Sequence, residues 1–170
     1  MITRDDLESW LAEWDLPLGP FTTIDEVLQA MTASAQSLRP EDAADLAKHA
    51  LQFARARHPR TRVLSIFLQK YAEQHPEAFA QALLRELAPD GPPLLLDLLG
   101  STAQPWVPTE AAKILDIEHA DKDLMIAWAG ALGELDGEGA RERLQKLQNL
   151  PDLDEETKSE IRIAMERLPD

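Results

Sequence analysis

The most informative stretch of the 170-residue chain is residues 127–140, AWAGALGELDGEGA, which holds four of its seven glycines. Glycines at this density can cradle a phosphate, close a metal loop or let two helices touch. A phosphate-binding P-loop needs a lysine and a serine or threonine after its glycines, whereas Ala140 and Arg141 follow Gly139. The acids within the stretch would also repel a phosphate, and an EF-hand would need a longer ligand series with a distal glutamate.

Contact between helices explains these glycines better. Gly130 and Gly133 are predicted to lie on one helix, where the lack of a side chain lets a neighbouring helix approach. Gly137 is predicted to permit a left-handed turn after that helix. Because the segment before Gly130 has a helical pattern, a strand-based dinucleotide site is also excluded. The stretch therefore predicts a structural role rather than an active site.

Signals for helix ends occur along the whole chain. Thr23 and Glu26 form a capping-box pattern, which predicts a helix that runs towards Ser37. The His-Pro steps at residues 58–59 and 75–76 each predict the end of one helix and the immediate start of the next, because proline is tolerated in a first turn. Such short turns predict that sequential helices are antiparallel neighbours.

The spacing of apolar residues also predicts helices. The segment after Pro40 places six residues on one helical face: Ala43, Leu46, Ala47, Ala50, Phe53 and Ala54. A last helix is predicted from about Asp154 to Leu168, with Ile161, Ala164 and Met165 on its apolar face. No segment alternates apolar and polar residues as a half-buried strand does. The sequence therefore predicts an all-α fold.

The chain also repeats itself. A shift of 31 residues aligns apolar positions in three successive segments, and a shift of 32 aligns the segments that follow them. The aligned sets are Leu64, Leu95 and Ile126; Phe67, Leu98 and Ala129; Leu68, Leu99 and Gly130; then Leu83, Leu115 and Leu147; and Ala80, Ala112 and Leu144. Three units of two helices between about Arg60 and Leu150 are typical of a solenoid, in which each unit buries its apolar face against its neighbours.

One unit carries a family resemblance. LMIAWAGALGELDGEGARERLQKL, from Leu124 to Leu147, resembles the short HEAT-like repeats of bacterial proteins. The matching residues are Ala127, Ala131, Leu132, Gly133, Leu135, Asp136, Gly137, Leu144 and Leu147. The other two units match only in apolar positions, since Tyr71 and Thr102 occupy the register of Gly133. The resemblance implies an α-α superhelix of about ten helices and protein binding as its commonest use, and an irregular helical bundle stays open as the alternative.

The domain organisation follows from the repeat. Residues 1–170 are predicted to form a single domain. Residues 1–38, two helices joined by LPLGPFTT, do not fit the period and are predicted to cap one end of the stack. Residues 39–150 contain the helical repeats, and residues 151–170 form the capping helix at the other end.

Composition limits the partners. With 31 acidic and 17 basic residues the chain has a formal net charge of -14, which repels nucleic acid and anionic membranes and attracts basic proteins. The absence of cysteine excludes thiol catalysis and thiolate zinc sites. The four histidines include no pair at the helical spacing of metal ligands, although folding could bring His58 and His75 together. We expect a cytoplasmic bacterial protein with no cofactor, metal or catalytic residues.

Two places are candidate binding sites. The turn RARHPRTR places four arginines, Arg55, Arg57, Arg60 and Arg62, in an otherwise acidic chain, where they could bind a phosphate or a carboxylate-rich partner or simply pair with neighbouring acids. Trp106, in the proline-flanked connection QPWVP, could be an interface anchor or could fold back over the stack. The other tryptophans, Trp10, Trp14 and Trp128, are predicted to be core residues.

The sequence thus favours a non-enzymatic scaffold, adaptor or inhibitor that binds a basic partner through an acidic surface. An immunity protein that blocks a toxic nuclease would fit this description, because complementary charge speeds capture. The alternatives are an enzyme on a HEAT-like fold, of the lyase or glycosylase type, or a chaperone or assembly factor. No lyase motif can be matched residue by residue, and the net charge opposes the basic groove of a glycosylase.

Overall fold

A computed structural model describes residues 1–16, 18–135 and 139–169. In this part of the chain there are ten α-helices and no β-strand, so the all-α prediction is confirmed. The helices are α1 (Arg4–Glu13), α2 (Ile24–Ser37), α3 (Ala43–Arg55), α4 (Thr61–Gln74), α5 (Pro76–Glu86), α6 (Pro93–Ser101), α7 (Val107–Ala112), α8 (Lys122–Leu135), α9 (Ala140–Gln148) and α10 (Glu155–Arg167). Short 3-10 helices at Pro40–Asp42 and Ile117–His119 precede α3 and α8.

Several of the local signals predict helix starts correctly. The Glu26 N–H donates to Thr23 Oγ1 (3.2 Å) and the Thr23 N–H donates to Glu26 Oε2 (3.1 Å), so the predicted capping box is confirmed. Pro76 is the first residue of α5, and Asp154 caps α10 by accepting from the Thr157 N–H. Thr23 and Asp154 accept hydrogen bonds from N–H groups that have no partner within the first turn, whereas Pro76 has no N–H to leave unpaired.

The prediction for the first His-Pro step is wrong. Helix α4 begins at Thr61, two residues after Pro59. Helix α3 ends in a left-handed residue, Arg57 (φ 49°), and the His58 N–H returns to the Phe53 carbonyl (3.0 Å). This Schellman-type ending is followed by a turn through Pro59, because the His58 carbonyl accepts from both the N–H and the hydroxyl of Thr61.

The helices pack in two interleaved series. Along the even-numbered series, α2 contacts α4, α4 contacts α6, α6 contacts α8, and α8 contacts α10. Along the odd-numbered series, α3 contacts α5 and α5 contacts α7. Helices that follow each other in the chain, such as α4 and α5 or α8 and α9, connect the two series.

The sequence repeat coincides with this packing order. Its first three aligned sets lie on α4, α6 and α8, and its last two involve α5, the α7 region and α9. Phe67, Leu98 and Ala129 occupy one aligned position and are all fully buried. The agreement is incomplete, because Ala112 is exposed and Ile126 is only half-buried.

The aromatic residues of the first helix region pack on the even-numbered series. The ring of Trp14 lies 4.9 Å from that of Phe67 on α4, and Trp10 meets the same ring edge-on at 6.1 Å. Trp14 and Trp128 are buried, which confirms them as core residues, and Trp10 is half-buried against the core. These contacts attach the N-terminal region to the rest of the fold.

The two glycines predicted to allow helix contact differ. A Cβ on Gly133 would lie 2.9 Å from the Cα of Ala164, so α8 and α10 approach closely there as predicted. A Cβ on Gly130 would have no atom within 4 Å, so the prediction for Gly130 is wrong. The residue faces an open cleft instead of a neighbouring helix. Gly137 lies outside the described residues.

Helix length and hydropathy decide whether a helix could cross a membrane. Among the described residues, no helix is both long enough and apolar enough to cross a membrane.

Candidate functional site

The arginine-rich turn is only partly free for binding. Arg60, the N-cap residue of α4, places Nε 3.2 Å from Asp15 Oδ2, and both side chains are about 29% exposed. Arg55, Arg57 and Arg62 are exposed to solvent. The structure therefore shows one of the four arginines paired with a neighbouring acid, and binding by the other three stays a prediction.

Trp106 lies at the start of α7. It is half-buried and packs against the hydrophobic core. Its remaining exposed surface is compatible with contact to a partner, so its role as an interface anchor stays a prediction.

The histidines contact the protein's own backbone and side chains. The Nε2 atoms of His49 and His75 donate to the carbonyls of Ile2 (2.9 Å) and Leu38 (3.0 Å), and Nδ1 of His58 accepts from the Arg60 N–H.

The fourth histidine, His119, is exposed, and its ring lies 3.0 Å from the Asp116 carboxylate. The hydrogen bond and the negative charge of Asp116 raise the pKa of His119. Within the described ranges, no three acidic or histidine side chains are grouped closely enough to hold a metal ion.

A cleft on the even-numbered helices is the strongest candidate site. It has a volume of about 220 Å³ and lies where α4, α6 and α8 run side by side. Short or neutral side chains make up most of its lining, and two carboxylates complete it: Ser65, Gln69, Ser101, Gly130 and Ala131, then Asp97 and Glu134. The absence of a side chain on Gly130 keeps this cleft open over α8.

One carboxylate of the cleft, Asp97, is affected by burial and by the charge of the other. Loss of hydration and the negative charge of Glu134 raise the pKa of Asp97 to about 6. Desolvation is the larger cause of the raised pKa, although Asp97 as a whole residue is exposed to solvent. A carboxylate in this setting is stabilised by any cation that enters the cleft.

The chain itself supplies no such cation among its described residues. The ion pairs of this part of the structure involve other acids, such as Asp15, Glu110 and Glu156, and include neither Asp97 nor Glu134. The cleft can therefore accept the ammonium of a lysine or the guanidinium of an arginine from another molecule.

The position of Glu134 depends on Gly100, a residue for which the sequence predicts no role. A Cβ on Gly100 would lie 2.8 Å from Glu134 Oε2 and 3.1 Å from the Cα of Ala131, so α6 and α8 approach closely at Gly100. The only hint in the sequence is that Gly100 follows the apolar run of α6. Asp97 is distinctive in the sequence because it interrupts the apolar run of residues 94–99, but among 31 acidic residues nothing pairs it with Glu134.

Comparisons of the chain with protein-family models, curated proteins and solved structures find no match. The assignment of function therefore depends on the packing order of the helices and the geometry of this cleft.

Proposed function

We propose that the chain is a non-enzymatic protein-binding scaffold, built as an α-solenoid of short HEAT-like helix pairs. The contacts between alternate helices support this proposal, because a solenoid stacks each repeat on the next. The alignment of the sequence repeat with α4, α6 and α8 supports it independently of those contacts. Stacks of this kind expose an extended surface along one series of helices, which suits binding to another protein.

The binding surface in this proposal is the even-helix face, defined by two clefts. The first is the acidic cleft between α4, α6 and α8. The second is a shallow cleft between α2 and α4, lined by Asp25, Leu28, Gln29, Thr32, Ala33, Gln36 and Lys70. Most side chains of both clefts are short or uncharged, so a partner's backbone can approach the helices without displacing long charged groups.

The observation that carries the proposal is the Asp97–Glu134 pair. Two neighbouring carboxylates without a described intramolecular cation favour a positively charged guest, and the net charge of -14 attracts basic proteins at long range. We propose that a lysine or arginine side chain of the partner enters the acidic cleft and contacts both carboxylates. Binding of this kind gives specificity as well as fast capture.

Capture from a lysate of the source cells tests the proposal when variants are compared. The double variant Asp97→Asn/Glu134→Gln removes both charges with little change in shape. We expect it to retain basic proteins about ten-fold less than the wild type, because close interfacial charge pairs contribute more than about 1.4 kcal/mol. Quantitative mass spectrometry of the retained proteins provides the measurement.

The matched control is Glu13→Gln/Asp90→Asn. Both residues are exposed, take part in no ion pair among the described residues, and lie outside the cleft. The control changes the net charge by the same amount, so it should retain the basic proteins as the wild type does. Equal losses in both double variants would show that only overall charge matters, and no loss in either would remove the cleft as the binding site.

A further inference from the structure

A third cavity, of about 370 Å³, lies between α8, α9 and the connection from α7 to α8. It shares no lining residue with the acidic cleft. Its apolar lining residues are Ala112, Leu115, Ile117, Trp128, Leu147 and Leu150, and of these Ala112, Ile117 and Leu150 retain the most solvent exposure. This volume falls within the range of about 300–1,000 Å³ that is typical of small-molecule sites, which are also mostly apolar with a few polar groups.

The charges around this cavity are balanced, unlike those of the chain as a whole. The α7–α8 connection contributes the carboxylates of Asp116 and Glu118, and α9 contributes the cations Arg143 and Lys146. Arg143 and Lys146 lie three residues apart and therefore share one side of α9. Two of the four are already paired within the chain: Asp116 lies 3.0 Å from the His119 ring, and Lys146 Nζ lies 2.7 Å from Glu142 Oε1. Glu118 and Arg143 are therefore the charges most open to a ligand, with Asp116 and Lys146 beside them.

The guanidinium of Arg143 is held in place. Its Nε donates to the Pro108 carbonyl (3.1 Å) and its Nη2 approaches the Thr109 hydroxyl (3.4 Å), both on α7. A guanidinium has five N–H donors, so these two contacts leave others for a ligand. Because the side chain is half-buried and already ordered, a ligand does not have to order it on binding.

We propose that this cavity binds a small dipolar molecule with an apolar body, of the kind represented by an ω-amino acid or a short apolar peptide with free ends. The apolar body packs along the apolar lining next to Ile117 and Leu150, the ammonium faces Glu118, and the carboxylate faces Arg143. A molecule without net charge is not repelled by the acidic protein at long range. An anion would meet the two acids, and a cation would meet Arg143 and Lys146.

Four probes with the same carbon chain test this assignment: ω-aminooctanoate, octanoate, octylamine and octanol. Isothermal titration of the full chain should give saturable binding of ω-aminooctanoate. Its affinity should exceed that of each other probe by about three-fold, which is the size expected for partly exposed charge pairs. No saturable binding of ω-aminooctanoate, or binding of octanoate, octylamine or octanol that is equally strong, would overturn the proposal.

Exposed residues at the rim allow variants that spare the core. Lys146→Gln and Glu118→Gln should each weaken ω-aminooctanoate binding about three-fold, and Lys146→Gln should not weaken octylamine binding. Ala112→Phe, at an exposed lining position, should abolish binding by filling the cavity. Lys113→Gln, exposed and outside the cavity, should bind as the wild type does. Binding that Lys146→Gln, Glu118→Gln and Ala112→Phe all leave unchanged would place the ligand elsewhere and overturn the proposal.

Discussion

The carboxyl of Asp97 has a pKa of about 6 in the folded chain, against an ordinary value of 3.8. Between these two values the folded state binds the proton more strongly than the unfolded state does. The free energy of unfolding therefore falls as the pH rises from about 4 to about 6, and above this range the ionised Asp97 opposes folding. A partner's cation in the cleft would remove this penalty.

Replacing Asp97 by asparagine tests this electrostatic penalty. Asp97→Asn should stabilise the chain by about 1 kcal/mol more at about pH 7.5 than at about pH 4, a figure that allows for solvent screening of a partly exposed group. Urea denaturation at the two pH values measures the difference. Asp90→Asn, which removes an exposed carboxylate outside the cleft, provides the control. An effect of Asp97→Asn that is the same at both pH values would contradict the pKa shift.

At the level of single residues, the sequence predicts buried positions better than it predicts the site. Trp14 and Trp128 could be recognised as core residues because large apolar side chains at helical spacing are usually buried. Asp97 and Glu134 could not be paired, because they come together only where α6 packs on α8. Interactions between residues distant in sequence leave no local pattern.

Among the elements, α8 contains two glycines one turn apart with opposite surroundings. Gly133→Ala places a methyl group 2.9 Å from the backbone of Ala164, so α8 and α10 must separate. Gly130→Ala places its methyl group in open space and only improves helix propensity. The same substitution therefore has opposite effects at the two positions.

We expect Gly133→Ala to lower the free energy of unfolding by about 1–3 kcal/mol. Gly130→Ala should raise it by about 0.5–1 kcal/mol, because alanine restricts the unfolded chain and favours the helix. Urea denaturation of the two variants beside the wild type gives both values. A destabilising effect of similar size at both positions would mean that a neighbouring helix also covers Gly130.

Local signals explain why several helices could be predicted. The capping box at Thr23 and the first-turn proline at residue 76 depend only on nearby residues, and both occur in the structure. The segment around Pro59 could not be predicted in this way, because the left-handed Arg57 ends α3 and adds a turn before α4. Arginine rarely adopts that conformation, so its sequence gives no warning.

For the whole molecule, the sequence repeat predicts which helices are equivalent before any contact is known. It places related positions on α4, α6 and α8, and these helices do contact one another in order. The repeat does not indicate which of the two helix series carries a binding surface. That choice depends on the cleft, whose short side chains and paired carboxylates are brought together only by folding.

Site-specific crosslinking tests most directly whether a basic partner binds the even-helix face. A photo-reactive amino acid can replace Gln69, which lines the acidic cleft on α4, or Gln81, which is exposed on α5 in the odd-numbered series. The two positions have the same native residue and lie in neighbouring helices. We predict that the variant at Gln69 crosslinks to a basic protein in a lysate of the source cells and that the variant at Gln81 does not. Crosslinking of that protein from Gln81, or equally from both positions, would contradict binding through this face.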